Sequence, residues 1–120
     1  MKLVSKNDTY EKIYKDGEEE IVFTLKKLSA KEVNDILDQT TATEVTPTGV
    51  KTKFLGGVAR QQKINKALVE WKGITDDSGA AVSCNDTNKE QLPPKIQFWL
   101  EGDINKVNGF EISEDERKNS

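Results

Sequence analysis

Residues 67–92 contain, in direct succession, an apolar helix end, a glycine, a short acidic turn and the start of a new helix. The glycine is Gly73, which readily takes the left-handed conformation that stops a helix. Residues 74–83 predict two short extended segments joined by a turn, because Asp and Ser side chains bond nearby backbone amides. The order predicts a helix, a reversal of the chain and a second helix. One apolar face of the first helix would be formed by Ile64, Leu68 and Trp71, with Ala67 beside them.

The N-terminal part has the pattern of a β-hairpin followed by a capped helix. Residues 9–15 alternate large and polar side chains, Asp-Gly at residues 16 and 17 is a strong turn signal, and residues 20–28 are rich in β-formers. Ser29 and Glu32 form an S-x-x-E capping box, which predicts a helix over residues 30–39. The period of two in a strand directs Ile21, Phe23 and Leu25 toward the core.

Two further helices are predicted near the C-terminus. Asn85 or Asp86 can cap a helix that runs to about Leu92, and Pro94 suits the first turn of the next one. That last helix ends at Asn108-Gly109 and has apolar residues at helical intervals, namely Ile96, Trp99, Leu100, Ile104 and Val107.

These elements together predict an α+β fold. An N-terminal β-hairpin is followed by three to four helices, with a short hairpin turn between them. A chain of 120 residues suits one domain. We expect that domain to span residues 1–110, and we expect the polar residues 111–120 to be a disordered C-terminal tail.

Residues 40–52 are rich in threonine and contain both a proline and a glycine, which disfavours a continuous helix. They predict a loop or an irregular strand, and a stretch of this length in a small domain is often mobile or ordered by a partner. Phe54 and Leu55 follow it, and Phe98 lies off the main apolar stripe of the last helix. These three residues have no obvious place in the predicted core, so they are candidate partner-binding residues. The alternative is that they complete the core.

Catalytic and cofactor-binding patterns are missing from the sequence. The chain has no histidine and a single cysteine, Cys84, so neither a Ser-His-Asp nor a Cys-His system can form. Residues 76–79 resemble a calcium loop only superficially, because their acidic residues do not alternate as calcium requires. We therefore expect no enzyme activity, no metal and no cofactor. No apolar window has the length of a signal peptide core or a membrane span, which predicts a cytoplasmic protein.

Charge is distributed unevenly, although the formal net charge is only −3. Residues 51–72 hold six basic side chains and one acidic side chain, Glu70. Such a segment is either a docking face or a solvated helix surface. Nucleic acid is an unlikely partner, since aromatic and basic residues do not alternate in a repeated pattern along this segment.

The region from Trp71 to Asn88 resembles a pattern in small tail assembly proteins of long-tailed bacteriophages and prophages. In that pattern a W-x-G-[IV] helix end leads to D-x-x-G, an apolar residue, a cysteine and an Asn-containing helix start. The matching positions are Trp71, Gly73, Ile74, Asp76, Gly79, Val82, Cys84 and Asn88. The sequence LSAKE at residues 28–32, after a predicted strand pair, is also similar to phage tail proteins.

The resemblance implies a tail assembly chaperone without a cofactor. Such proteins bind the tape-measure protein, keep it soluble and help tail tube proteins to polymerise around it. Two alternatives stay open. One is a structural virion component, such as a head-to-tail connector or tail terminator, and the other is a nucleic-acid-binding regulator. A homo-oligomer is compatible with each of them.

Overall fold

The computed structural model describes residues 8–110, which form a mixed α+β fold. The predicted disordered tail over residues 111–120 lies outside the described residues. Within residues 8–110 there are five strands and four helices, in the order β1 (Thr9–Asp16), β2 (Glu19–Lys26), α1 (Ala30–Gln39), β3 (Thr41–Thr46), β4 (Gly49–Phe54), α2 (Gly56–Ala67), β5 (Leu68–Lys72), α3 (Asp86–Lys89) and α4 (Pro94–Asn108).

The N-terminal hairpin is confirmed. Strands β1 and β2 pair antiparallel from Thr9 opposite Lys26 to Asp16 opposite Glu19. Phe23 and Leu25 of β2 are fully buried, as the strand period predicts. Strand β5 then pairs with the other edge of β2, so the sheet has the order β1-β2-β5.

The prediction that the second helix continues to Gly73 is wrong, because α2 ends at Ala67 and the next residues form β5. Leu68 lies opposite Leu25 and Trp71 opposite Phe23, while the register shifts between them. This β-bulge leaves one extra residue on β5, so that Leu68 and Trp71, three positions apart, are both buried. A bulged strand has therefore reproduced the spacing that is typical of a helix face.

Gly73 ends strand β5 and not a helix. Its φ is +99°, and a Cβ built on it would lie 2.5 Å from the carbonyl oxygen of Glu20. The backbone of Gly73 thus passes too close to β2 for any side chain. The chain then reverses through a turn closed by an isolated bridge between Thr75 and Ala81, as predicted.

Capping signals locate the start of α1 and both ends of α4. Ser29 and Glu32 form the reciprocal capping box of α1, and Gly109, at φ +76°, ends α4, whose first turn contains Pro94. Asn85 caps α3, but this helix ends at Lys89 and does not continue to about Leu92. The chain turns instead before the two prolines, and Leu92 is buried.

The buried apolar side chains form one cluster between the three-stranded sheet and the helices. Helix α2 contacts both α1 and α4 and lies beside β5. The cluster consists of Phe23, Leu25, Leu28, Ile36, Ile64, Ala67, Leu68, Trp71, Leu92, Ile96, Leu100 and Ile104.

Residues 40–52 are predicted as a loop or an irregular strand, but all of them except Thr40, which ends α1, belong to a regular second hairpin. Strands β3 and β4 pair from Thr41 opposite Phe54 to Thr46 opposite Gly49. Threonine and valine favour strands because their branched side chains fit the pleated backbone. The proline and the glycine, which disfavour a helix, lie at the turn, where Gly49 takes a φ of +134°.

Candidate functional site

One face of the β3–β4 hairpin is uncharged and exposed over its whole length. In an antiparallel pair, residues directly opposite each other project to the same side, and side chains on that side recur every second residue. Val45 is 83% exposed, Val50 66% and Phe54 58%. We call this surface the hairpin face, and it consists of Thr41, Thr43, Val45, Val50, Thr52 and Phe54.

The other side of the same hairpin carries charges. Glu44 lies opposite Lys51, and Ala42 lies opposite Lys53. The hairpin is therefore amphipathic, although its apolar side does not face the core. Across residues 8–110, β3 and β4 form a sheet of only two strands, so each has an outer edge without a paired strand. Exposed edges and β-branched side chains are features that can bind another chain.

A groove of about 460 Å³ adjoins the base of the hairpin. Phe54 belongs to both surfaces, which makes the hairpin face continuous with the groove. Thr40, fully buried, closes the end of α1 by donating a 2.7 Å hydrogen bond from its hydroxyl to the carbonyl of Ile36. The groove is lined by residues of α1, α2 and α4, by Phe54 and by Phe110, the full set being Ile36, Leu37, Thr40, Phe54, Gly56, Ala59, Arg60, Lys63, Glu101, Asn105 and Phe110.

Charged side chains form one wall of this groove. The Glu101 carboxylate accepts hydrogen bonds from Nε of Arg60 at 3.1 Å and from Nζ of Lys63 at 3.3 Å. The Arg60 guanidinium lies 4.3 Å from the centre of the Phe98 ring, and Nζ of Lys63 lies 4.7 Å from that of Phe110. Both cations are thus held between a carboxylate and an aromatic ring.

The three predicted partner-binding residues differ in their surroundings. Phe54 lies on the hairpin face and Phe98 is 56% exposed on α4. Arg60 lies between these two residues, since it lines the groove together with Phe54 and its guanidinium lies over the Phe98 ring. Leu55 is half-buried at the start of α2, where its amide donates to the carbonyl of Thr40 and its own carbonyl accepts from Ala59.

Sequence reasoning missed that Val45 and Val50 belong to an exposed apolar face, because the surrounding segment was interpreted as a loop or an irregular strand. The signal was nevertheless present. Thr43 and Val45, and then Val50 and Thr52, recur at the spacing of two that is typical of a strand face. The charged groove wall had no such signal, since Glu101 lies far along the chain from its two partners.

A second groove, of about 540 Å³, lies at the chain reversal. Its walls include residues that carry the resemblance to phage tail proteins, namely Trp71, Ile74, Asp76, Val82 and Asn88. The Asp76 carboxylate accepts hydrogen bonds from the Ser78 hydroxyl at 2.6 Å and from the amides of Ser78 and Ala80 at 2.9 and 3.0 Å. These bonds lower the pKa of Asp76. The carboxylate thus stabilises its own turn.

Cys84 is half-buried, and burial raises the pKa of its thiol, which disfavours the reactive thiolate. Residues 8–110 contain no group of three or more His, Cys, Asp or Glu side chains that could hold a metal ion. Over the same range, no helix has the length and apolar character needed to cross a membrane. No family model, curated protein or solved structure matches this chain.

Proposed function

We propose that this protein is a tail assembly chaperone of a long-tailed bacteriophage or prophage. In this role it binds the tape-measure protein in the host cytoplasm, assists the assembly of tail tube proteins and performs no catalysis. The observation that carries the proposal is the hairpin face, a strip of valine, threonine and phenylalanine side chains that no other part of residues 8–110 covers.

The chemistry of this strip suits reversible binding of an apolar client. Burial of apolar surface contributes roughly 25 cal/mol per Å², so that a few valine and phenylalanine side chains give a contact of modest strength. The threonine hydroxyls between them keep the uncovered surface compatible with water. A long tape-measure chain offers many apolar side chains in succession, and a chaperone must release them as the tube forms.

Coexpression with the tape-measure protein of the same phage tests the proposal. The variant Val45→Glu/Val50→Lys places a charged pair across the hairpin face while it keeps the strand pairing. The matched control, Glu44→Thr/Lys51→Thr, changes the cross-strand pair on the opposite side. We expect the native chain and the control to raise the soluble fraction of the tape-measure protein and to copurify with it, and the hairpin-face variant to do neither.

Two results would overturn the proposal. Equal client binding by the native chain and the hairpin-face variant would exclude the hairpin face as the binding site. The second result is that the native chain fails to bind the client while mass spectrometry detects it in mature particles. That result would replace the role of chaperone with that of a structural virion component.

A further inference from the structure

We propose that the groove at the base of the hairpin is a second binding site, which takes one apolar side chain of a partner protein together with a neighbouring carboxylate. The inference rests on the proposed function only in taking the partner to be a protein, and it concerns the groove, which shares only Phe54 with the hairpin face. Its volume, about 460 Å³, falls in the range of roughly 300 to 1,000 Å³ that is common for ligand pockets.

The lining of the groove first selects an apolar group. Its apolar wall comes from α1, from α2, from the end of β4 and from the segment that follows α4, with contributions from Ile36, Leu37, Phe54, Ala59 and Phe110. Ile36 and Ala59 are buried, whereas Leu37 is 44% exposed and Phe54 58% exposed at the rim. An apolar side chain that enters here would therefore cover two large side chains that water now contacts.

The charged wall then selects an acidic group. Arg60 and Lys63 share the single carboxylate of Glu101, which leaves one surplus positive charge. The side chain of Lys63 is only 8% exposed and that of Arg60 29%, so water screens this charge less than it would at an open surface. A carboxylate from a partner would neutralise it.

The orientation of Arg60 suits a carboxylate in particular. Its Nε donates to Glu101 and its guanidinium carbon lies over the Phe98 ring, so that two contacts restrain the group. A guanidinium held in this way presents a fork of donors that matches the two oxygens of a carboxylate.

The start of α2 adds to the preference for a negative charge. Gly56, its first residue, lines the groove, and no side chain caps this helix. The first turn also contains no acidic residue. Because the first amides of a helix point outward with a partial positive charge, a carboxylate near Gly56 and Arg60 would be stabilised by both.

The two preferences together point to a peptide as the occupant. A peptide segment can supply an apolar side chain and an adjacent carboxylate from neighbouring positions of one chain.

Three synthetic helical peptides of about 15 residues can probe the groove. Each has leucine at position i and, at i+4, glutamate, glutamine or lysine, so that the three differ only in charge. Titration is followed by amide chemical shifts of the 15N-labelled full chain. We expect the glutamate peptide to shift the amides of Leu37, Thr40 and Ala59 and to bind about 10-fold more tightly than the glutamine peptide, with the lysine peptide weakest.

Arg60→Gln should lower the affinity for the glutamate peptide about 10-fold and remove its advantage over the glutamine peptide. Lys66→Gln, which removes the same charge from the same helix outside the groove lining, should leave both affinities unchanged. Leu37→Gln changes a rim residue that is already 44% exposed, so the variant should fold. It should bind all three peptides more weakly than the native chain does.

Equal affinity for the three peptides, or shifts confined to the hairpin face, would overturn this site and leave the proposed function standing. Groove binding that depends on Arg60, in a chain that does not bind the tape-measure protein, would support the site and exclude the proposed function.

Discussion

The indole Nε1 of Trp71 donates a 2.7 Å hydrogen bond to the carbonyl of Val82, which ties strand β5 to the segment that returns from the turn. The side chain of Asn88 continues this link by donating 2.8 Å to the carbonyl of Ser83. Trp71, Val82 and Asn88 all belong to the pattern that resembles phage tail proteins. Their hydrogen bonds show that these three residues hold the chain reversal together, whereas the hairpin face belongs to other strands.

Trp71→Ala should destabilise the protein by about 3 to 5 kcal/mol, because it removes a large side chain that is 5% exposed in the core. Trp71→Phe keeps much of the packing but leaves the Val82 carbonyl without its donor, and should cost about 1 to 3 kcal/mol. Urea unfolding followed by circular dichroism measures both. An alanine variant as stable as the native chain would show that Trp71 does not anchor the core.

Gly73→Ala should destabilise more than Gly79→Ala. Both glycines have positive φ, +99° and +85°, so each substitution strains the backbone by about 1 to 2 kcal/mol. Only at Gly73 does the added Cβ also meet a backbone atom, the carbonyl oxygen of Glu20 at 2.5 Å, whereas the space around Gly79 is open. Thermal unfolding of the two variants gives the comparison, and equal melting temperatures would show that β5 can shift to make room.

Local signals in the sequence were sufficient to predict several helices and strands. The Asp-Gly turn, the Ser29 capping box, Pro94 and Gly109 act through neighbouring residues, so the hairpin β1–β2 and the helices α1 and α4 could be predicted from sequence. The exposure of Phe54 and Phe98 also agrees with their having no obvious place in the core, although their role in binding is still a prediction.

The remaining structure depends on contacts between distant residues. Leu68 and Trp71 fit a helix face and a bulged strand equally well, and pairing with β2 decides between the two. The groove wall brings Arg60 to Glu101 across the interface between α2 and α4, and neither helix shows this pairing in its own pattern. The exposed hairpin face has the strand spacing, but sequence alone does not reveal that no other part of residues 8–110 covers it.

The stability of the protein should fall at alkaline pH through Tyr10. Burial, followed by the 3.0 Å hydrogen bond to the Asp103 carboxylate, raises the pKa of this phenol above its ordinary value of 10.0. A raised pKa in the folded state means that the neutral phenol stabilises the fold. Its contribution is complete below pH 10 and is lost as the pH rises toward the folded value.

Tyrosinate absorbance should show one tyrosine that ionises only at the alkaline end of the titration, and Tyr10→Phe should remove that component. Tyr14→Phe removes a hydroxyl from the same strand and should leave it in place. If the component that Tyr10→Phe removes is instead centred on the ordinary pKa of 10.0, the folded chain does not raise the pKa of Tyr10.

The β3–β4 hairpin should open more readily than the three-stranded sheet when no partner is bound. A two-stranded hairpin is marginally stable in water, and β4 is exposed along its whole length. Strand β2, by contrast, lies between two neighbours and contains the buried Phe23 and Leu25. Backbone amides of β3 and β4 should therefore exchange with deuterium at least about 10-fold faster than those of β2, since local opening needs little free energy where few apolar contacts hold a segment. Binding of an apolar client to the hairpin face should slow this exchange, whereas equal protection of both hairpins in the unbound chain would mean that β3 and β4 are already covered, for example by a second copy of the protein.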